Sequence, residues 1–184
     1  MVYFSAERGV TMRTRIKNMT NIALGAVIMA ISAWITLPFV VPFTMQTFAL
    51  FFMIYYFGAS SALASCLVYI GIGCVGIPVF SGFGAGFGVL FGITGGFIIG
   101  FPISCLIYLF LEKILPEFKG KTTLISVASM LGCYTLGCFW ALSFSEGRGI
   151  LAVIAMYILP YLLPDAIKIT LAYFCTKRIA KIKA

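Results

Sequence analysis

The stretch of sequence that decides the fold covers residues 18–111. It begins NMTNIALGAVIMAISAWITLPFVV at residues 18–41 and ends GGFIIGFPISCLIYLFL at residues 95–111, and its 94 residues include no Asp, Glu, Lys or Arg. As an α-helix with a rise of about 1.5 Å per residue, this stretch would be roughly 140 Å long. That length is enough for about four crossings of a hydrocarbon core about 30 Å thick. The pattern predicts an α-helical protein that crosses a membrane several times.

The composition of the whole 184-residue chain excludes a soluble globular domain. Hydrophobic residues make up 62% of the chain, charged residues make up 10%, and the mean hydropathy is +1.11. A soluble domain has about 25% charged residues. This chain therefore has too few polar side chains to cover a surface exposed to water.

The net charge of +8 comes from basic residues beside the ends of the apolar segments. Eleven of the 13 Lys and Arg residues lie in the N-terminal tail, one connection and the C-terminal tail: Arg8, Arg13, Arg15, Lys17, Lys113, Lys119, Lys121, Lys177, Arg178, Lys181 and Lys183. This placement follows the positive-inside rule, which orients a chain in the bilayer. The charge therefore indicates orientation, and we expect no nucleic-acid partner.

Six apolar segments separated by turn residues predict six transmembrane helices in one integral membrane domain, residues 1–184. The predicted spans are 18–36, 45–57, 60–76, 88–111, 122–143 and 150–176. Six spans place both basic tails on one side, which predicts cytoplasmic N and C termini. The connections at 37–44 and 77–87 would then lie outside. Because they are apolar and rich in Gly and Pro, we expect them to fold over a cavity that satisfies their backbone groups.

The sharpest candidate site is in the sixth span, where Asp165 and Lys168 are three residues apart and share a helix face. Tyr157 and Tyr161 precede Asp165 on the same stripe. Ionisable residues inside a span are costly and usually mark a functional site. The pair offers an acceptor beside a donor, which suits a polar ligand with N–H and C=O groups. The alternative is an ion pair that only holds helices together.

Small residues recur at helical spacing in two places. In the fourth span they predict one smooth groove, and the glycines that recur every four residues are Gly84, Gly88, Gly92, Gly96 and Gly100. The groove would serve helix packing, or would let a ligand lie on the first glycines. In the first span, Ala26 and Ala30 form a small-xxx-small pair. Its alternatives are packing within the chain and docking of another membrane subunit.

Residue sets for catalysis or metal binding are missing from the sequence. The six cysteines lie in apolar segments without a CxxC pair, and the chain has no histidine. There is no Ser/His/Asp set, no pair of carboxylates and no phosphate-binding loop. We therefore expect no metal and no cofactor. An enzyme would have to work with Asp165 and Lys168 alone, and we expect none.

Four segments give the chain a family resemblance. In order they are VPFTMQTF at 41–48, GIPVF at 76–80, LFGITGGFIIGF at 90–101 and PDAIK at 164–168. With these segments the chain resembles the BioY family, the biotin-binding S components of energy-coupling factor (ECF) vitamin transporters, from about residue 20 onward. The resemblance implies the S-component fold in a prokaryotic cell membrane, with biotin held near the outer face under loops. It also implies a transmembrane coupling subunit and two ATPase subunits as partners.

The resemblance implies roles for particular residues. The family's P-x-D-x-x-K motif falls on Pro164, Asp165 and Lys168, which implies that Asp165 and Lys168 bind the ureido ring of biotin. The further predicted ligand contacts are Tyr161 and Phe80 for the apolar body, Gln46, Thr44 and Ser81 for hydrogen bonds, Gly84 beside the loop, and Arg148 for the carboxylate. Ala26 and Ala30 look like the motif by which S components dock on the coupling subunit.

The chain departs from the family pattern at the predicted pocket wall. Residues 92–97 read GITGGF where the family often has GPTGGY, and SGF follows Phe80 where the family often has AGG. Two other interpretations stay open. One is an S component for another small vitamin-like molecule, and the other is a membrane enzyme that uses Asp165 and Lys168.

Overall fold

The computed structural model describes residues 2–37, 42–145, 147 and 149–183, with side chains from residue 12 to residue 182 within those ranges. The described chain is mostly helical. Its elements are α1 Val2–Trp34, β1 Thr36–Leu37, β2 Phe43–Thr44, α2 Gln46–Phe57, α3 Ala59–Cys74, a 3-10 turn at Ser81–Phe83, α4 Phe87–Leu90, α5 Gly95–Ile114, α6 Lys121–Leu142, α7 Ile150–Tyr157 and α8 Leu159–Lys183.

Three of the described helices are long and apolar enough to cross a membrane, and a bent pair makes a possible fourth. The three spans are Met12–Trp34, Gly95–Ile114 and Lys121–Leu142, and the bent pair is α7 with α8. The apolar helices α2 and α3 are shorter, with 12 and 16 residues. Between these two helices, Gly58 has a φ of 90°, a conformation that glycine adopts without strain. The structure thus supports a helical membrane protein.

The predicted fourth span, 88–111, is helical only in part. The short helix α4 ends at Leu90, the chain turns, and α5 begins at Gly95. A side chain at Gly95 would collide with the backbone of Leu90, so the turn needs a glycine there. The prediction of one groove along five glycines was wrong for this reason. Gly84, Gly88 and Gly92 precede α5, and only Gly96 and Gly100 lie on it.

Gly96 and Gly100 let α5 approach α6 closely. A Cβ atom at Gly96 would collide with the side chain of Trp140, and one at Gly100 would lie 2.6 Å from the sulfur of Cys133. In return, Gly137 on α6 makes room for the ring of Phe97. These two glycines of the row therefore serve helix packing.

The predicted sixth span, 150–176, is two helices joined at Ile158 with a bend of 40°. Pro160 explains the bend, because it has no N–H to donate to the preceding turn and its ring crowds that turn. Helix α8 then continues to Lys183, beyond the predicted end.

Helix α1 begins at Val2, well before the predicted start at residue 18, and packs against α2 and α3. Gly25 abuts the side chains of Ser65 and Met53. Ala26 and Ala30 are only 5% and 8% exposed. Their burial favours packing within the chain, and the docking role stays a prediction.

Two connections lie at the same end of the helix bundle. Strand β2 pairs antiparallel with β1, with Thr36 opposite Thr44, and this pairing places Thr44 at the start of α2. The connection that follows α3 is tied to α1, since the indole N–H of Trp34 donates to the carbonyl of Pro78 at 2.9 Å. The Trp34 ring also stacks on Phe83 with ring centres 5.4 Å apart. Both connections are therefore held against the bundle by α1.

Candidate functional site

A cavity lies between α2, α5, α6 and α8, at the end of the bundle that carries the two connections. The space that the centre of a water molecule can reach is about 60 Å³. Six of the predicted site residues line it: Thr44, Gln46, Ser81, Tyr161, Asp165 and Lys168. Residues from separate parts of the sequence thus meet around one space.

The charged pair on α8 lies in the wall of this cavity. Asp165 and Lys168 are each 5% exposed, and the Lys168 ammonium lies 2.9 Å from Oδ1 of Asp165. The ammonium also donates to the backbone carbonyl of Thr44 at 2.7 Å. It lies 3.8 Å from the ring centre of Phe43, a cation–π contact. Lys168 therefore ties β2 to α8.

The second carboxylate oxygen of Asp165 has a partner on α6. The hydroxyl of Tyr134 donates to Oδ2 at 2.6 Å, and both residues are buried. Sequence reasoning missed Tyr134. The available signal was a phenol hydroxyl in the middle of an apolar segment, where it needs a hydrogen-bond partner. Its partner could not be named, because the two residues are 31 positions apart.

A second polar group starts at the beginning of α2. The side-chain amide of Gln46 donates to the hydroxyl of Tyr69 at 2.9 Å, and the hydroxyl of Thr44 donates to the Gln46 carbonyl oxygen at 3.0 Å. Tyr69 in turn meets the ring of Phe80 edge-on at 5.5 Å. The chain Thr44–Gln46–Tyr69 holds these polar groups at the cavity.

Phe80 and Gly84 do not line the cavity. Phe80 is fully buried with its ring against Gly73 on α3, where only a glycine leaves room for it. Gly84 accepts a hydrogen bond from the Phe80 amide at 3.0 Å through its carbonyl. Phe80 therefore supports Tyr69 from behind, and Gly84 shapes the backbone around Phe80.

Aromatic side chains line the same cavity as the charged pair. Phe97 and Phe101 come from α5, and Tyr157 and Tyr161 come from either side of the bend at Ile158. Tyr161 stacks on Phe43 with ring centres 6.5 Å apart. The cavity thus combines a charged donor and acceptor with flat apolar surfaces, as small-molecule sites commonly do.

Three further observations concern the predicted carboxylate contact, hydroxyl groups in the lining and metal binding. Arg148, predicted to bind a carboxylate, lies outside the described residues. Thr47 and Thr94 line the cavity and add hydroxyl groups that were not predicted as ligand contacts. Within the described part of the chain, no three His, Cys, Asp or Glu residues are grouped to hold a metal ion.

Known proteins are similar to this chain, some over nearly its whole length and some over part of it. The BioY family model matches residues 6–184. A probable biotin transporter BioY of Pyrococcus horikoshii is 30% identical over 165 residues, which cover 89% of this chain and 96% of that protein. The biotin transporter BioY2 of Lactococcus lactis subsp. cremoris is 37% identical over 70 residues, 38% of each chain.

A solved structure has the same fold. The crystal structure of the S-component for biotin from an ECF-type ABC transporter matches with a TM-score of 0.78. The match covers 92% of this chain and 93% of that chain at 20% sequence identity. Since the family model matches residues 6–184 and the Pyrococcus horikoshii relative is 30% identical over 89% of this chain, the chain belongs to the BioY family.

Proposed function

We propose that this chain binds biotin and acts in biotin uptake across the cytoplasmic membrane, as the substrate-binding S component of an ECF-type transporter. The observation that carries the proposal is the buried pair of Asp165 and Lys168 in the cavity wall, with an acceptor and a donor 2.9 Å apart. Biotin presents ureido N–H groups beside a C=O group on an apolar bicyclic body. The relatives named above as biotin transporters support the same ligand.

The residues that line the main cavity support the following assignment of ligand contacts. Asp165 accepts a hydrogen bond from a ureido N–H, and Lys168 donates one to the ureido oxygen. Tyr161 packs against the bicyclic body, and hydroxyl and amide groups near the connections contact the valerate tail, namely Thr44, Gln46 and Ser81. Phe80 acts indirectly, through Tyr69. Arg148 stays the predicted partner of the carboxylate.

Six crossings agree with the helices if α2 and α3 each count as one and α7 with α8 counts as one. At about 1.5 Å per residue, α2 is roughly 18 Å long and α3 roughly 24 Å. Helices of this length suit a bundle in which the connections, and not the helices themselves, form the outer end. The basic residues near both termini support cytoplasmic termini in the cell membrane.

The energy for transport comes from partners in this proposal. The chain is proposed to join a transmembrane coupling subunit and two ATPase subunits, and it is not itself an enzyme. The solved structure of the S-component for biotin from an ECF-type ABC transporter supports this assembly.

Titration calorimetry of the detergent-purified protein with biotin tests the proposal. We expect one site with a Kd below about 1 µM, which corresponds to about −8 kcal/mol. Asp165→Asn, which keeps the shape and removes the charge, should weaken binding about 100-fold, because Lys168 loses its anionic partner and the ligand loses a charged acceptor.

A double variant separates binding from folding in this experiment. Asp165→Asn with Lys168→Met removes both charges, so it should recover most of the stability lost in the single variant without recovering binding. No heat with micromolar biotin, or full affinity in Asp165→Asn, would contradict the proposal. Binding of another vitamin in place of biotin would favour an S component for that molecule.

A further inference from the structure

A second cavity lies at the other end of the same four helices. It lies between α2, α5, α6 and α8, and the space that the centre of a water molecule can reach in it is about 290 Å³. Lys177 lines it, nine residues after Lys168 on α8, which places it about 13 Å farther along the helix. This crevice is therefore separate from the site of the charged pair.

Three tyrosines form the wall of the crevice. The ring of Tyr55 meets Tyr108 at 6.4 Å and Tyr173 at 5.8 Å, both edge-on. The hydroxyls of Tyr55 and Ser126 are 2.6 Å apart, and Tyr108 is only 6% exposed. Tyrosines of an interfacial belt extend toward the headgroups. These tyrosines instead pack against one another, with Tyr108 buried, so they form the wall of the crevice rather than a belt that faces the lipid.

One acidic and one basic side chain line the crevice without pairing. Glu112 comes from the last turns of α5, and Lys177 lies 4.5 Å from the ring centre of Tyr173. The salt bridges within the described chain are Lys121–Glu117 and Lys168–Asp165, so Glu112 and Lys177 do not neutralise each other. Two separated opposite charges in one crevice match a ligand with both charges.

The two charges have different surroundings. Thr122, in the first turn of α6, also lines the crevice, and the amides of a helix N-terminus favour an anion. The Tyr173 ring already faces the ammonium of Lys177, and the ring of Tyr108, which lines the crevice with Glu112, favours the ammonium group of a ligand. The helices end here among basic side chains, so in a bilayer the crevice lies at the depth of the headgroups.

We propose that this crevice binds the headgroup of phosphatidylethanolamine. Its ammonium lies toward Glu112 and the ring of Tyr108, and its phosphate lies toward Lys177 and the N-terminus of α6. This lipid would fix the ends of α5, α6 and α8 against one another at the membrane surface.

Native mass spectrometry of the detergent-purified protein with added lipid tests the proposal. We expect phosphatidylethanolamine to be retained in preference to phosphatidylglycerol, which carries a phosphate without an ammonium. Glu112→Gln and Lys177→Gln should each reduce the retained phosphatidylethanolamine about fivefold. The matched control is Lys181→Gln on the same helix, since Lys181 does not line the crevice. Melting temperatures close to that of the wild type would show that the variants are folded.

Three outcomes would overturn the proposal. Equal retention of both lipids by the wild type would mean that the ammonium is not recognised. Loss of the lipid in Lys181→Gln as large as in Lys177→Gln would show unspecific attraction to basic residues. Binding of soluble phosphoethanolamine as tight as that of the lipid would assign the crevice to a soluble ligand instead.

Discussion

At the residue scale, the polar groups of the charged pair all have partners before a ligand arrives. Asp165 uses one oxygen for Lys168 and the other for Tyr134, and Lys168 also binds the carbonyl of Thr44. A buried charge without a partner is strongly destabilising, so this network lets the cavity wall hold two charges. A ligand must supply hydrogen bonds at least as good as those it replaces.

Tyr134→Phe tests the role of this hydroxyl in positioning Asp165. The variant removes one hydrogen bond to a charged group, typically about 1.5–3 kcal/mol. We expect biotin affinity to fall about tenfold by calorimetry. Tyr55→Phe is the matched control, because it also removes a 2.6 Å hydrogen bond but lies in the crevice at the opposite end. Unchanged affinity in Tyr134→Phe would exclude the positioning role.

At the element scale, the cavity depends on how closely α5 and α6 pack. Gly100 on α5 meets Cys133 on α6, and Cys133 and Tyr134 both line the cavity. Backbone can approach backbone here because glycine has no side chain. The distance between these helices therefore sets both the stability of the bundle and the position of the Tyr134 hydroxyl.

Gly100→Ala should separate α5 from α6. The new Cβ atom would lie 2.6 Å from the Cys133 sulfur and 3.2 Å from its Cα atom, so we expect a loss of about 1–3 kcal/mol of stability, seen as a lower melting temperature. Gly71→Ala on α3 is the control, because its Cβ atom would meet nothing within 4 Å. That substitution should leave the melting temperature unchanged or raise it slightly. Equal effects of both substitutions would contradict the packing role.

At the scale of the whole molecule, opposite ends of one bundle carry different chemistry. The apolar connections and the main cavity lie at one end, and most of the basic side chains and the second crevice lie at the other. Helices α2, α5, α6 and α8 run between them and line both. The positive-inside rule then predicts that the main cavity faces the outside.

Reporter fusions test this orientation and the count of six spans. Green fluorescent protein fused to either terminus should fluoresce, because both termini are predicted to be cytoplasmic. Alkaline phosphatase needs disulfides, which form outside the cytoplasm, so it should be active when inserted in the connection at 144–149. The same insertion in the connection at 115–120 should be inactive. Phosphatase activity at one terminus only would indicate an odd number of spans.

Local sequence was enough to predict several features. The charge-free stretch from residue 18 to residue 111 predicted a helical membrane protein, because burial in lipid depends on composition over one helix length. The spacing of Asp165 and Lys168 predicted a shared helix face, because it depends only on the helical period. The bounds of α2, α3 and α6 were close to the predicted bounds, because they also depend on local sequence.

Tertiary structure decided the features that depend on contacts between distant residues. The hydroxyl of Tyr134 binds Asp165 from another helix, so the spacing within one helix does not predict it. The break before Gly95 and the bond from Lys168 to Thr44 depend on backbone carbonyl groups, which every residue has and which the sequence therefore does not mark. Phe80 was expected beside the ligand, but its ring fits over Gly73 in the core. Helical periodicity describes one helix at a time. Which faces meet, and where space remains between them, is decided only when the helices pack.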